Sequence, residues 1–277
     1  MPTAASETLA ALDQLPPFPP VALRMLDALT REELETSELV QLASADPVLA
    51  SEILHAANSA LFGLPRRVKT LQHAIVLVGR DYLRPLLFTA ALRAYLKAPG
   101  RSRVFQEWWR HSLACALLAD GLAAACQKSR GEAYTAGLLH DIGRLGLMMA
   151  VGADRYRAVA ARGAPALALE REQEEFGVDH CQVGKLLLEK WELPPELADA
   201  SARHHDGFHR GRALANLVWM ACSLATVVGF STQKPNQPLS LEEWRAGLPP
   251  GLEWTHRLEV DALRKTLEER IGVYSQI

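Results

Sequence analysis

Apolar positions recur at three- and four-residue spacing along almost the whole chain, and no stretch alternates cleanly over six or more residues. That periodicity predicts helices with one buried face and argues against half-buried strands. Leu9, Leu12 and Leu15 open one amphipathic piece, which the run from Pro16 to Pro20 ends because proline cannot continue a helix. Val21 to Leu29 follows, with Leu23, Leu26 and Leu29 on one face. Thr36 is placed to cap a helix through Ala45, favoured by Glu35 and Glu38 near its N-terminal end. Asp46-Pro47 is a helix start with Asp as cap and Pro in the first turn, and that helix runs to about Asn58. A turn-rich connection spans 59–69. Thr70 opens a helix to about Gly79, and 80–97 is helical with a kink or late start expected at Pro85.

Pro99-Gly100 marks the clearest boundary. Beyond it the pattern predicts helices at about 103–126, from about 132 through His140 and Asp141, then at 154–162, 166–176, 180–190, 195–205 and 211–229. From Ser231 to Pro250 the chain is polar and Pro-rich, hence loop-like, with room for a short helix at Leu241–Ala246. Thr255 is placed to cap a last amphipathic helix to about Ile271. The fold class is therefore all-α, a two-lobed helical bundle. Residues 8–98 are expected as the N-terminal lobe, 101–230 as the second lobe, and 231–277 as a C-terminal loop and helix.

With 277 residues, 49% of them hydrophobic, the chain can bury a sizeable core. A net charge of −2 supplies no global field toward nucleic acid or an anionic membrane. No apolar run approaches the roughly 20 residues that span a bilayer, and the N-terminal segment, with no basic stretch followed by an apolar block, is not expected to be a signal peptide. Cys115, Cys126, Cys181 and Cys222 show no CxxC spacing, so they are expected as buried, reduced thiols of a cytoplasmic protein.

Chemistry concentrates at Leu138-Leu139-His140-Asp141-Ile142-Gly143. An imidazole and a carboxylate side by side suit a divalent transition metal. Glu107 and His111, four apart, share one helix face. His180 starts a helix after Asp179. His204 and His205 are splayed by about 100° in a regular helix, so both reach one cluster only where the helix ends. Five of the nine His fall in this set. Seven N/O donors more than fill one octahedral site, which points to one or two ions of Fe, Mn, Ni or Zn. The plainer alternative is unrelated histidines, some held by core carbonyls and others exposed at helix ends.

The order Glu-x-x-x-His, Leu-Leu-His-Asp-Ile-Gly, His-x-x-x-Gly (His180 to Gly184) and His-His resembles the HD superfamily of metal-dependent phosphohydrolases, whose catalytic relatives include the HD-GYP phosphodiesterases. Leu15-Pro16-Pro17-Phe18-Pro19, Asp46-Pro47, Ala57 to Gly63 and Gln72 to Gly79 resemble the HDOD domain, the HD-related output domain of bacterial signalling. The resemblance covers about residues 8–230. It implies a metal set of His111, His140, Asp141, His180, His204 and His205, with Glu107 bridging or in the outer shell. In a hydrolytic version Arg144 would steady the phosphate. Three departures argue against hydrolysis. Cys222 stands where the enzymes place a last Asp, Arg144 stands where HD-GYP enzymes have Lys, and the Gly-Tyr-Pro loop is missing after His205.

The expected function is thus a non-catalytic signalling output module that presents a helical surface to partner proteins. The alternative is a metal-dependent phosphohydrolase acting on nucleotides or cyclic dinucleotides. A homodimer and a nucleotide ligand are compatible with either; nucleic acid and membrane partners are not expected. Residues 64–110 carry ten Lys/Arg against Asp81 and Glu107, read as solvated helix faces in preference to an anion-binding face. Trp108-Trp109 leaves two options: both buried, or one turned outward toward a partner.

Overall fold

The computed structural model describes residues 3–15, 17–18, 20, 23–24, 35–58, 67–95, 103–162, 167–232 and 239–276. These residues form α-helices with a 3₁₀ turn at Glu253–Arg257 and no strand among them. All but Leu23 and Arg24 of the expected Val21–Leu29 helix, most of the 59–69 connection, Pro16, Pro19 and the Pro99-Gly100 boundary lie outside the described residues. So do Arg66, Lys97 and Arg101 of the basic stretch, and the side chains of Arg80, Arg84 and Arg93. No helix among the described residues is long and apolar enough to cross a membrane.

The chain divides into two compact units, Met1–Pro16 with Pro99–Lys265 and Pro17–Ala98 with Thr266–Ile277. The first unit takes in α1 (Ala4–Asp13), which the sequence pattern grouped in part with residues up to 98. Packing explains the difference. Fully buried Leu12 sits beside Gly146 of α7 (Ile142–Val151), and Lys190 Nζ donates to the carbonyls of Leu12 and Asp13 at 3.4 and 2.9 Å. Burying a leucine contributes about 1.5–3 kcal/mol, enough to fix where a short helix docks.

At the centre of this unit α5 (Arg103–Ala125) packs on α6 (Arg130–Leu139) and on α12 (Ala213–Val227). Every residue from His111 to Asp120 is buried, because α5 is covered on more than one side. The Trp pair is therefore core: Trp108 is 1% and Trp109 7% exposed, and Trp109 stacks on Phe105 with ring centroids 6.5 Å apart. The unit continues with α8 (Ala153–Ala160), α9 (Ala168–Phe176), α10 (His180–Lys190) and α11 (Pro195–Arg203). Local signals set the ends. Gly177 adopts φ 74° to close α9, Asp179 and Gln182 form a reciprocal capping box on α10, and Pro195 opens α11. The short α13 (Leu241–Ala246) falls where the sequence placed it. The last helix, α14, runs Val260–Gln276 and starts five residues after the expected cap at Thr255; that residue sits instead in the 3₁₀ turn, its carbonyl accepting from Arg245.

The second unit is built from α2 (Thr36–Ser44), α3 (Pro47–Ala57) and α4 (Leu71–Tyr95), which pack on one another through Leu39, Ala43, Leu49, Ile53, Ala57, Ala74, Leu83 and Leu87. Asp46 caps α3 by accepting from Leu49 N–H at 3.3 Å. The residue at the cap of α2 is Glu35, one before the expected Thr36. The interruption in α4 lies at Gly79 (φ 72°, ψ 163°) rather than at Pro85, since only glycine reaches that backbone conformation without strain. Asn58 ties the end of α3 to the next segment: its amide donates to the Leu54 and Val68 carbonyls, and its oxygen accepts from Val68 N–H at 2.7 Å.

Candidate metal centre

His140 and Asp141 occupy the joint between α6 and α7, not the interior of one helix. Asp141 takes φ −101°, ψ 17°, which ends one helix and starts the next. The joint is held by two bonds to carbonyls that the helix end leaves open: Ser201 Oγ donates to His140 O at 2.7 Å, and Trp108 Nε1 donates to Asp141 O at 2.9 Å. Two glycines let α10 approach. A Cβ on Gly143 would collide with the His180 carbonyl, and a Cβ on Gly184 would collide with Ser201 Oγ. Closeness of backbones is what brings His180 to Asp141.

Four of the five imidazoles are oriented by an acceptor behind them. His111 Nδ1 lies 2.6 Å from Phe230 O, His140 Nδ1 2.7 Å from Gly137 O, and His204 Nδ1 2.7 Å from Ser201 O. A carbonyl has no proton to give, so Nδ1 donates and the Nε2 lone pair is turned inward. His180 Nδ1 meets Glu172 Oε2 at 2.5 Å, a carboxylate–histidine pair of the kind that supports metal ligation. His204 caps α11, so the helix ends where the sequence required, and His205 follows with its Nε2 3.1 Å from His180 Nε2.

The inward atoms converge. Asp141 Oδ1 is 3.3 Å from His204 Nε2 and 3.4 Å from His180 Nε2. Ligands at about 2.05 Å from a tetrahedral ion stand about 3.3 Å apart, so the spacing fits. His140 Nε2, His204 Nε2 and Asp141 Oδ1 are buried and make no hydrogen bond, a costly state for three polar atoms unless something with positive charge sits among them. The donor atoms of His180, Cys181, His204 and His205 lie within 4.8 Å of one another, as do those of His140, Asp141 and His204, and such donors fit a divalent transition ion. His111 and His140 Nε2 lie 3.7 and 3.9 Å from Asp141 Oδ2, and both imidazoles also cluster with Cys115 and Cys222.

Six of the seven expected donors thus lie in one cluster, five of them buried and His205 exposed at its edge. Glu107 does not. Its carboxylate is 44% exposed and pairs with Arg103 at 2.9 Å, an i,i+4 ion pair on the solvent face of α5. The acid that does reach the pocket is Glu172 on α9. Nothing in the run Ala168-Leu169-Glu170-Arg171-Glu172 separates it from its neighbours; only packing buries it. Arg144 is buried as well. Its Nε donates to Asp141 Oδ2 at 2.8 Å and its Nη1 to Tyr156 Oη at 3.0 Å, with Glu172 Oε1 3.5 Å away, so two of its three nitrogens are engaged inside the protein.

The charges follow from this wiring. Burial opposes ionisation of Asp141, but Arg144 and the surrounding imidazoles hold its carboxyl well below the usual range. Burial and Arg144 act to lower His180, yet Glu172 outweighs them and lifts it to about 9. The bond from Cys115 holds the Cys222 thiol well below its ordinary value. All four cysteines are free; Cys115 and Cys181 are buried, Cys126 and Cys222 half-buried.

Residues 15–207 match the HDOD domain family, so the chain belongs to it. Among curated relatives it is 26% identical over 200 residues to an uncharacterised protein of Treponema pallidum, covering 70% of this chain and 38% of that one. It is 28% identical over 207 residues to ribonuclease Y 1 of Pediococcus pentosaceus, covering 74% and 34%. The chain therefore spans little more than a third of the length of these relatives. An HDOD domain protein of Geobacter sulfurreducens superposes with a TM-score of 0.73 at 24% identity, over 95% of this chain and 86% of that one. A protein of Marinobacter aquaeolei provisionally assigned to signal transduction gives 0.73 at 22% identity, over 98% and 66%. At these identities the likeness establishes the fold.

Proposed function

We propose that this HDOD domain is a non-catalytic output module of signal transduction, working through protein–protein contacts, with an HD-derived pocket that holds metal for structure. One observation carries the reading: the buried ion pair of Arg144 with Asp141 Oδ2. A carboxylate engaged by guanidinium has one oxygen left, so it is poorly placed to bridge two ions around an attacking water. The same pair removes the cation nearest the site from phosphate binding. Cys222, standing where the resemblance puts a ligand Asp, adds to this. The name of the Marinobacter aquaeolei neighbour agrees with a signalling role. Val76, 60% exposed, with Leu77 beside it at 37%, offers apolar surface to a partner.

The convergence of His180 and His204 Nε2 on Asp141 Oδ1 keeps a second reading in play, a metal-dependent phosphohydrolase acting on nucleotides. Its support includes the relatives named ribonuclease Y. The two separate in a hydrolysis assay on nucleotide and cyclic-dinucleotide phosphodiesters, with manganese, iron, nickel or zinc added in turn. The output-module reading expects no turnover above that of Asp141→Ala; turnover lost in that variant overturns it.

A further inference from the structure

We propose that this chain associates with a second copy of itself, a basic and apolar stripe on α4 of one copy packing antiparallel on an acidic and apolar stripe on α9 of the other. This contact rests on the part of the reading above that gives Val76 and Leu77 to a partner, and it makes that partner the same protein.

On α4, Ala74, Ile75 and Val78 are buried, while Val76 is 60% and Leu77 37% exposed. His73 and Lys69, four and eight residues before Leu77, are exposed and share that outward side. The stripe is fixed at its start. Asn58 holds both backbone groups of Val68 beside Lys69, and Thr70 Oγ1 accepts from His73 N–H at 3.3 Å. The sequence has no acid between Glu52 and Asp81, so none from this stretch neutralises Lys69. On α9, Ala168, Glu172 and Phe176 are buried. The opposite side carries Leu167, 46% exposed at the helix cap, with exposed Glu170 and Glu174 three and seven residues on. Glu175 is engaged by Arg155 and Arg162, but among the described residues no ion pair holds Glu170 or Glu174.

The two stripes match when the helices run antiparallel. Lys69 to Val76 and Leu167 to Glu174 are both seven residues, a span of about 10.5 Å at the helical rise. Lys69 then meets Glu174, His73 meets Glu170, and Val76 with Leu77 covers Leu167. A parallel arrangement would instead set Lys69 against Leu167 and Val76 against Glu174. Exposed ion pairs contribute little alone, so the three apolar side chains supply the affinity while the charges fix direction and register. Because the two stripes are different surfaces, the contact is heterologous.

Sedimentation equilibrium of the full chain in low salt tests this, at concentrations reaching the millimolar range. The expected mass rises above the monomer with concentration and falls back as salt is added. Val76→Glu should weaken association about tenfold or more, the loss of a central apolar contact. Lys69→Glu and Glu174→Lys should each weaken it several-fold. Mixing these two variants should restore it, because every contact between unlike copies then pairs opposite charges. A monomer at every concentration overturns the proposal and gives the α4 stripe to another protein. Association that these substitutions leave unchanged, or that mixing does not restore, overturns it as well. If a variant fails to fold, carbodiimide cross-linking of the unaltered chain decides. Isotope-labelled and unlabelled copies mixed together should yield a Lys69–Glu174 bond between unlike copies, and its absence overturns the contact. Hydrolysis by a protein that associates would fail the output-module reading and leave this contact standing; a monomer without turnover would do the reverse.

Discussion

Arg144 Nε and Asp141 Oδ2 stand 2.8 Å apart with both side chains almost wholly buried, and the contact decides what the pocket can do. Paired this way, the carboxylate keeps only Oδ1 for an ion, and the guanidinium is anchored at its far end by Tyr156.

Breaking that pair by Arg144→Met leaves a buried carboxylate uncompensated, a loss of about 3–5 kcal/mol. Denaturant unfolding of the metal-free protein checks it. The double variant Arg144→Met with Asp141→Asn should recover part of the loss, since neither charge then remains alone. Additive losses would mean the two residues act separately.

Glu172 acts on the pocket through His180. Glu172→Gln removes the charge behind Nδ1 while keeping the shape, so metal affinity should fall about 10–100-fold in competition with a chelator. Glu107→Gln, on the solvent face of the same protein, should change it little.

The His180–Glu172 pair also ties stability to pH in the metal-free protein. His180 is raised from 6.5 to about 9, so its contribution is complete below 6.5 and is lost as pH climbs through about 9. Burial works against the Glu172 carboxylate, but His180 and Arg144 bring it from 4.5 down to about 2. Its contribution is complete above 4.5 and is lost as pH falls through about 2. Unfolding midpoints measured across pH should show the pair's stabilisation level between 4.5 and 6.5. In Glu172→Gln the alkaline decline should flatten.

Gly143→Ala would drive a methyl group into the His180 carbonyl, with backbone on both sides and no flexible side chain to yield. Overpacking of this kind costs about 1–3 kcal/mol or more, and it should displace His180 from Asp141, so stability and metal binding should fall together. Gly121→Ala, where nothing lies within 4 Å of an added Cβ, serves as the neutral control.

Helix periodicity and caps made most of the architecture legible: Asp179, Pro195 and the short helix at Leu241–Ala246 sit where their residue types require. The donors His111, His140, Asp141, His180, His204 and His205 were readable from type and order. What escaped was set by packing. Glu107 and Glu172 are both acids on amphipathic helices, and only the neighbours of α9 bury one while water surrounds the other. Cys115 carried a signal in its i,i+4 spacing from His111, the same rule that drew attention to Glu107. Arg144 as a partner of Asp141 was within reach too, since residues three apart on a helix share a face. The placement of α1 beside α7 was not, because a ten-residue apolar face does not name its partner.

Whether the pocket supports turnover decides its role. The decisive measurement is phosphodiester hydrolysis by the full chain, loaded in turn with zinc, manganese, iron and nickel, against Asp141→Ala as background. A rate equal to that background with every ion is the predicted result. A metal-dependent rate that disappears in Asp141→Ala would contradict it.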